Sequence, residues 1–187
     1  MQLQLRKYTQ SLKTIRTIEQ LRQGVQGMST IYFDESIILL DVEAKTREDV
    51  LHVMGGNLAK KGLVKMSFID AIIARETEFA TGLPTTGVSV AIPHTDVEHV
   101  NQKTISVAVL KDTVEFGVMG DPDETTPVKI VFMLAMDQAH DQLALLQRLM
   151  KVFQNAAALN YLANEKSKTN IKNLLAEKLD FALEGGE

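Results

Sequence analysis

Val128 to Leu134 is a continuous apolar run broken only by Lys129. A strand of that texture is buried on both faces, unlike the alternating strand of a half-solvated sheet. Both faces of its sheet must therefore be covered. The segments that can cover them lie before and after it, because helical periodicity dominates the first half of the chain and the last third. Helices, then several strands, then helices fit a three-layer α/β/α sandwich. Thr104 to Leu110 is strand-like, and Val114 to Val118 reads as its antiparallel partner across a short Lys111-Asp112 connection. The central sheet is therefore expected to be mixed. With 187 residues, 45% of them apolar, the chain can fill one such core but hardly two.

The helices announce themselves by their ends. Thr46 with Asp49 three residues on reads as a capping-box variant, followed by the stripe Val50, Leu51, Met54 and Leu58. Lys60 and Lys61 suit the negative helix end, and Gly62 supplies a left-handed stop. Gly55-Gly56 inside this helix costs about 1 kcal/mol per glycine against alanine, which close packing on another backbone would justify. A second helix runs from Ser67, with Asp70 three residues on, to about Glu78. The stretch from Phe79 to Thr86 reads as a loop, and Gly120 to Pro127 as an acidic one. Asp137 is expected to cap a helix carrying Leu143, Leu146, Leu149, Met150 and Phe153, and a last helix covers about Ser167 to Leu183. Ile31 to Leu40 reads as a strand or the lead into one. Residues 1–27 have the periodicity of an additional helix, on Tyr8, Leu12, Ile15, Ile18, Leu21 and Val25, ahead of a main domain over 28–187.

Several function classes drop out on composition. A net charge of −4 lacks the basic footprint of a nucleic-acid module. No run reaches the roughly 20 apolar residues of a membrane span, and the first residues are too polar for a signal-peptide core. The absence of cysteine removes disulfides, thiolate metal sites and thiol catalysis. A soluble cytoplasmic domain is the expectation. The glycines form neither a dinucleotide fingerprint nor a P-loop, and there is no Gly-x-Ser-x-Gly elbow.

The chemistry concentrates in Gly87-Val88-Ser89-Val90-Ala91-Ile92-Pro93-His94-Thr95-Asp96. Proline has no N–H for a ladder, so a strand reaching Pro93 is expected to end there. His94 is then presented at the tip of a stiff element. His94 and His99, with Asp96 and Glu98 between them, give a weak pattern for zinc, since no fourth ligand is evident. His52 falls in mid-helix and reads as a surface or packing residue. His94 together with Arg75 and the hydroxyls of Thr81, Thr85, Thr86 and Thr95 is a set that can surround a phosphoryl group. Guanidinium and hydroxyl donors stabilise its equatorial oxygens, and neutral imidazole is a nucleophile near pH 7. On the residues alone, phosphoryl transfer stands beside a structural histidine at a strand end.

The stretch from Gly87 to His94 resembles the Gly-x-x-x-Ala-Ile-Pro-His signature of the enzyme IIA domains of the mannitol/fructose type. These belong to the bacterial phosphoenolpyruvate-dependent sugar phosphotransferase system. Arg75-Glu76 and Thr81-Gly82 resemble that family's Arg-Glu … Thr-Gly pattern, and Phe79 to Pro84 with Met119-Gly120 looks most like its galactitol-specific branch. The resemblance covers about residues 30–180. It implies that His94 is a transient tele-phosphohistidine, phosphorylated by the phosphocarrier HPr and relieved by a cysteine of enzyme IIB, which serves the membrane enzyme IIC. It also implies that Arg75 stabilises the phosphoryl charge and that Thr81 is a supporting donor. Family members often carry a second histidine at the start of the helix after the central strand. The helical register puts Gln142 at that place, in Gln142-Leu143-Ala144-Leu145-Leu146, while His140 lies two residues earlier. Glutamine can donate an amide hydrogen bond but cannot carry charge. Uptake of galactitol or a related sugar is the transport reading. Regulatory IIA modules of the nitrogen type or of transcription regulators, which use the phosphohistidine as a signal, are the alternative. No metal or cofactor is implied.

Overall fold

The computed structural model describes residues 31–137, 139–179 and 183–184. The helix expected over 1–27 lies outside them. Seven strands among the described residues form one mixed sheet: β1 (Ile31–Tyr32), β2 (Ile38–Val42), β3 (Gly82–Leu83), β4 (Ser89–Ala91), β5 (Thr104–Val118), β6 (Asp121–Ala135) and β7 (Leu183–Glu184). The helices are α1 (Arg47–Lys60), α2 (Ser67–Glu78), α3 (Ala139–Phe153), α4 (Ala156–Asn164) and α5 (Lys168–Leu179). The sheet runs β3-β4-β6-β5-β1-β7, with β2 also on β5, and helices cover both faces as the buried central strand requires. From Ile130 to Ala135 every residue of β6 is buried. It lies between an antiparallel β5 and a parallel β4.

The first helix follows its sequence closely. Thr46 Oγ1 accepts from the Asp49 N–H, and the Asp49 carboxylate accepts from the Thr46 N–H, which closes the capping box. Val50, Leu51, Met54 and Leu58 are buried, and Gly62 has φ of +71°. A β-carbon on Gly55 would stand 3.2 Å from Ile69 Cγ1, so this glycine lets α1 approach α2. Gly56 faces open space and has no such reason.

Several expectations need correction. Ser67 does not cap α2. Met66 occupies that position in helical conformation, the Phe68 N–H donates back to the Lys65 carbonyl, and the Ser67 hydroxyl meets His99 Nδ1 at 2.9 Å. There is no turn at Lys111-Asp112 either: residues 104–118 are one strand, and the exposed residues 111–113 mark a register shift against β6. A polar interruption of an apolar run can be a bulge as well as a turn. The hairpin turns instead at Met119-Gly120, where Gly120 has φ of +81°, as tight reversals demand. The acidic segment after it is therefore strand, with Thr126, Val128 and Ile130 buried. In the early part, Ile31 to Leu40 is broken by a 3-10 turn over Glu35–Ile37, whose Asp34 cap accepts from the Ser36 N–H. Tyr32 also donates its hydroxyl to Asp34. The supposed loop after Phe79 contains the short strand β3, paired with β4. Helix α4 has no counterpart among the expected elements. The last helix is described over Lys168–Leu179, and Leu183, expected at its end, lies instead in β7, paired with Ile31 of β1.

Candidate functional site

Strand β4 ends at Ala91, two residues before the proline. Pro93 still takes part through its carbonyl, which accepts from the Leu134 N–H at 2.9 Å, and His94 is Leu134's bridge partner. His94 thus sits half-buried at the carboxyl ends of the parallel pair β4 and β6, the edge where α/β sheets collect their ligands. Helix α3 opens at Ala139, only four residues past the end of β6. His140 and Gln142 both belong to its opening residues; their side chains lie outside what is described.

The ring of His94 is oriented by its own strand. Nδ1 lies 3.0 Å from the Ile92 carbonyl oxygen. A carbonyl only accepts, so Nδ1 must carry the proton, and in the neutral ring the lone pair falls to Nε2.

Arg75 is delivered by the last turn of α2, which the Phe79 N–H closes onto the Arg75 carbonyl at 2.7 Å. Its guanidinium carbon stands 5.2 Å from the centre of the Phe79 ring, a cation–π arrangement on a side chain that is 54% exposed. Nη1 lies 3.9 Å from Asp96 Oδ1, two residues beyond His94. Nε is buried and has no hydrogen-bond partner, the one such side-chain atom among the described residues. An orphaned buried donor costs roughly 1–3 kcal/mol, which an incoming acceptor would recover.

Thr81 is buried, and its hydroxyl donates to Glu76 Oε2 at 2.7 Å while its N–H donates to Glu76 Oε1 at 2.9 Å. The hydroxyl hydrogen is therefore committed to Glu76. Burial pushes the Glu76 carboxyl above its usual range, in spite of the two Thr81 hydrogen bonds and the charge of Arg47, which pull the other way. Beside it, Gly82 meets the returning hairpin so closely that a β-carbon would fall 2.5 Å from the Gly117 oxygen. The Met119 N–H donates to the Gly82 carbonyl at 2.8 Å. Each member of the Arg-Glu … Thr-Gly pattern thus has a physical task. Glu76 is the one that sequence reasoning passed over, although a carboxylate five residues before a threonine that must be held was the available signal.

Asp96, two residues past His94, brings its loop within 3.9 Å of Arg75, and Thr81 is linked to His94 through Ile92, whose N–H donates to the Thr81 carbonyl at 3.3 Å. The remaining threonines divide. Thr85 bonds within its own loop, to the Val88 carbonyl and the Gly87 N–H, and Thr95 is buried next to His94. His99 is turned away to Ser67, with Glu98 3.4 Å from Nε2. His52 is exposed on α1.

Residues 31–178 match the family model described as the phosphoenolpyruvate-dependent sugar phosphotransferase system, EIIA 2. The galactitol-specific EIIA component of Escherichia coli K12 is 30% identical over 127 residues, 68% of this chain and 81% of that one. Multiphosphoryl transfer protein 2 of the same organism is 34% identical over 173 residues, 91% of this chain; the chain spans about a fifth of that protein's length (20%). Among solved structures, the mannitol IIA of Escherichia coli superposes with a TM-score of 0.64 at 25% identity, over 78% of this chain and all of the other (100%). Signature, fold and family model agree, and the chain belongs to the EIIA 2 family of the phosphoenolpyruvate-dependent sugar phosphotransferase system.

Proposed function

We propose that His94 is a phosphoryl relay, taking the group from phosphorylated HPr and giving it to a cysteine of enzyme IIB in the uptake of galactitol or a related polyol. The observation that carries this reading is the Nδ1–Ile92 contact, which leaves the Nε2 lone pair as the nucleophile. Nε2 attacks phosphorus as the P–N bond to the donor histidine breaks, and the electron pair returns to the donor ring. The His94 ring gains positive character, which the Ile92 carbonyl dipole stabilises. In the second transfer a thiolate attacks phosphorus, and the pair of the broken bond returns to Nε2. Residues 1–187 contain no cysteine, so the acceptor thiol lies outside this stretch of sequence.

Arg75 fits the phosphoryl oxygens: its Nε is a buried donor without a partner, and a planar guanidinium suits bidentate anion binding. The opening of α3 lies on the same sheet edge and adds a favourable field for an anion. Phe79 and Met119, 54% and 42% exposed, flank a cleft of about 470 Å³ that offers a partner an apolar foothold next to Arg75. The reactions run in the cytoplasm, where HPr is found.

The test is labelling from radioactive phosphoenolpyruvate with the two general proteins of the system present. The wild-type chain takes up acid-labile label and H94A takes up none; label persisting in H94A would overturn the assignment. Chasing the label with a panel of IIB proteins then separates transport from signalling. A regulatory module keeps its label against every sugar-specific IIB.

A further inference from the structure

We infer that Glu76 is a positioning residue for His94, acting through Thr81 and the Ile92 peptide to hold the imidazole proton on Nδ1. This rests on reading His94 as the phosphoryl acceptor. Three links make up the relay. Glu76 grips Thr81 with both carboxylate oxygens, at 2.9 Å on the N–H and 2.7 Å on the hydroxyl. The Thr81 carbonyl accepts from the Ile92 N–H at 3.3 Å, and the Ile92 carbonyl accepts from His94 Nδ1 at 3.0 Å.

The cost of the arrangement points to a purpose beyond filling space. Glu76 is only 2% exposed, and a buried carboxylate is expensive unless its oxygens are satisfied. Both are engaged by a single residue, and Arg47, whose charge reaches Glu76, pairs with Glu48 at 2.9 Å instead. An apolar side chain would fill that place more cheaply if packing were all that mattered. The two ends of the relay are also close in sequence to the chemistry, since Glu76 directly follows Arg75. Once the Ile92 N–H is held, its carbonyl has little freedom, because the residue before a proline is confined to extended conformations. The direction of that carbonyl decides which ring nitrogen keeps the proton, and therefore which is free to attack.

Nitrogen spectra of the full chain with labelled histidine read the tautomer of His94 directly, without any phosphoryl donor. The wild-type ring is expected mainly as Nδ1–H. T81V, which removes the hydroxyl and loosens the grip, should lower the Nδ1–H to Nε2–H ratio by about five-fold, the worth of one net hydrogen bond. E76Q leaves one oxygen to accept from Thr81 and should lower it by roughly two-fold. T81S restores the hydroxyl and should restore the ratio. A wild-type ring found mainly as Nε2–H would overturn the proposal, as would folded T81V and E76Q with an unchanged ratio. Lowered thermal stability without a tautomer shift would reduce Glu76 to a loop fastener and overturn it equally. If the tautomers shift as expected but the wild-type chain accepts no phosphoryl group, the relay stands and the reading of His94 as an acceptor falls.

Discussion

Asp96 sets a carboxylate oxygen 3.9 Å from Nη1 of Arg75, while the buried Nε of the same guanidinium has no partner. At that distance, and with Asp96 74% exposed, the pair is weak and leaves the arginine available. If Arg75 holds the phosphoryl oxygens as proposed, Asp96 competes with them for the same positive charge. D96N is therefore expected to change stability by less than about 0.5 kcal/mol. The same substitution should raise the equilibrium fraction of phosphorylated chain against HPr-phosphate by roughly two- to five-fold, measured by labelling at several donor ratios.

Removing Arg75 should separate activity from folding. R75A is expected to slow phosphoryl uptake by about 10²-fold, the usual loss when one charge-stabilising donor goes. R75K should recover little of it, since an ammonium cannot reproduce the planar fork. Thermal denaturation should move only slightly, because the side chain gives the fold little more than a partly exposed cation–π pair worth about 0.5–1 kcal/mol and a long ion pair. Rapid-quench rates beside melting curves check both.

Glu76 should leave a signature in the pH dependence of stability. Burial raises its carboxyl above the usual 4.5, so the folded chain holds this proton more tightly than the unfolded one. The corresponding stabilisation is complete below the unfolded value and is lost as pH rises through the raised folded value. E76Q cannot titrate there. The melting temperature of the wild type relative to E76Q should accordingly fall as pH goes from about 4 to about 7. A difference that is flat or rises over that range would contradict the raised value.

Gly82 is expected to tolerate nothing larger. An added β-carbon would lie 2.5 Å from the Gly117 oxygen and 3.1 Å from both Phe116 Cβ and Thr126 Cγ2, and the nearest of these is a main-chain atom that no side-chain rotation can clear. G82A should cost roughly 1–3 kcal/mol as an overpacked site, read by chemical denaturation. It should also loosen the hairpin tip, since the Met119 N–H depends on the Gly82 carbonyl.

Much of the fold was legible because its signals are local. The capping box at Thr46 and Asp49, the stop at Gly62 and the buried stripe of α1 lie within a few turns of one another. The strands were harder where pairing decides. Lys111 and Asp112 look like a turn in isolation, yet β6 lies alongside and carries β5 straight through them with a bulge. Strands β3 and β7, two residues each, exist because β4 and β1 offer them edges. Helix α4 has an Asn155 cap that accepts from the Ala158 N–H, but it is short and starts with three alanines, too little periodicity to stand out. At the site, Arg75, Thr81 and His94 could be picked by chemical type and by resemblance. What each of them touches could not. The Thr81–Glu76 and His94–Ile92 hydrogen bonds span only five and two residues, but which atoms meet depends on the backbone course after α2 and before Pro93; only the Thr81–Ile92 link between them needs the pairing of β3 with β4.

The link from Thr81 to His94 passes through main-chain atoms of residue 92. It is therefore blind to which side chain sits there. Any residue that fits the core can replace Ile92 without altering the hydrogen bonds, whereas Pro93 matters for the donor it lacks and the conformations it forbids. Under mutation, position 92 can change within what the core accepts, and the imidazole keeps its orientation as long as the proline and the clamp behind it are inherited together.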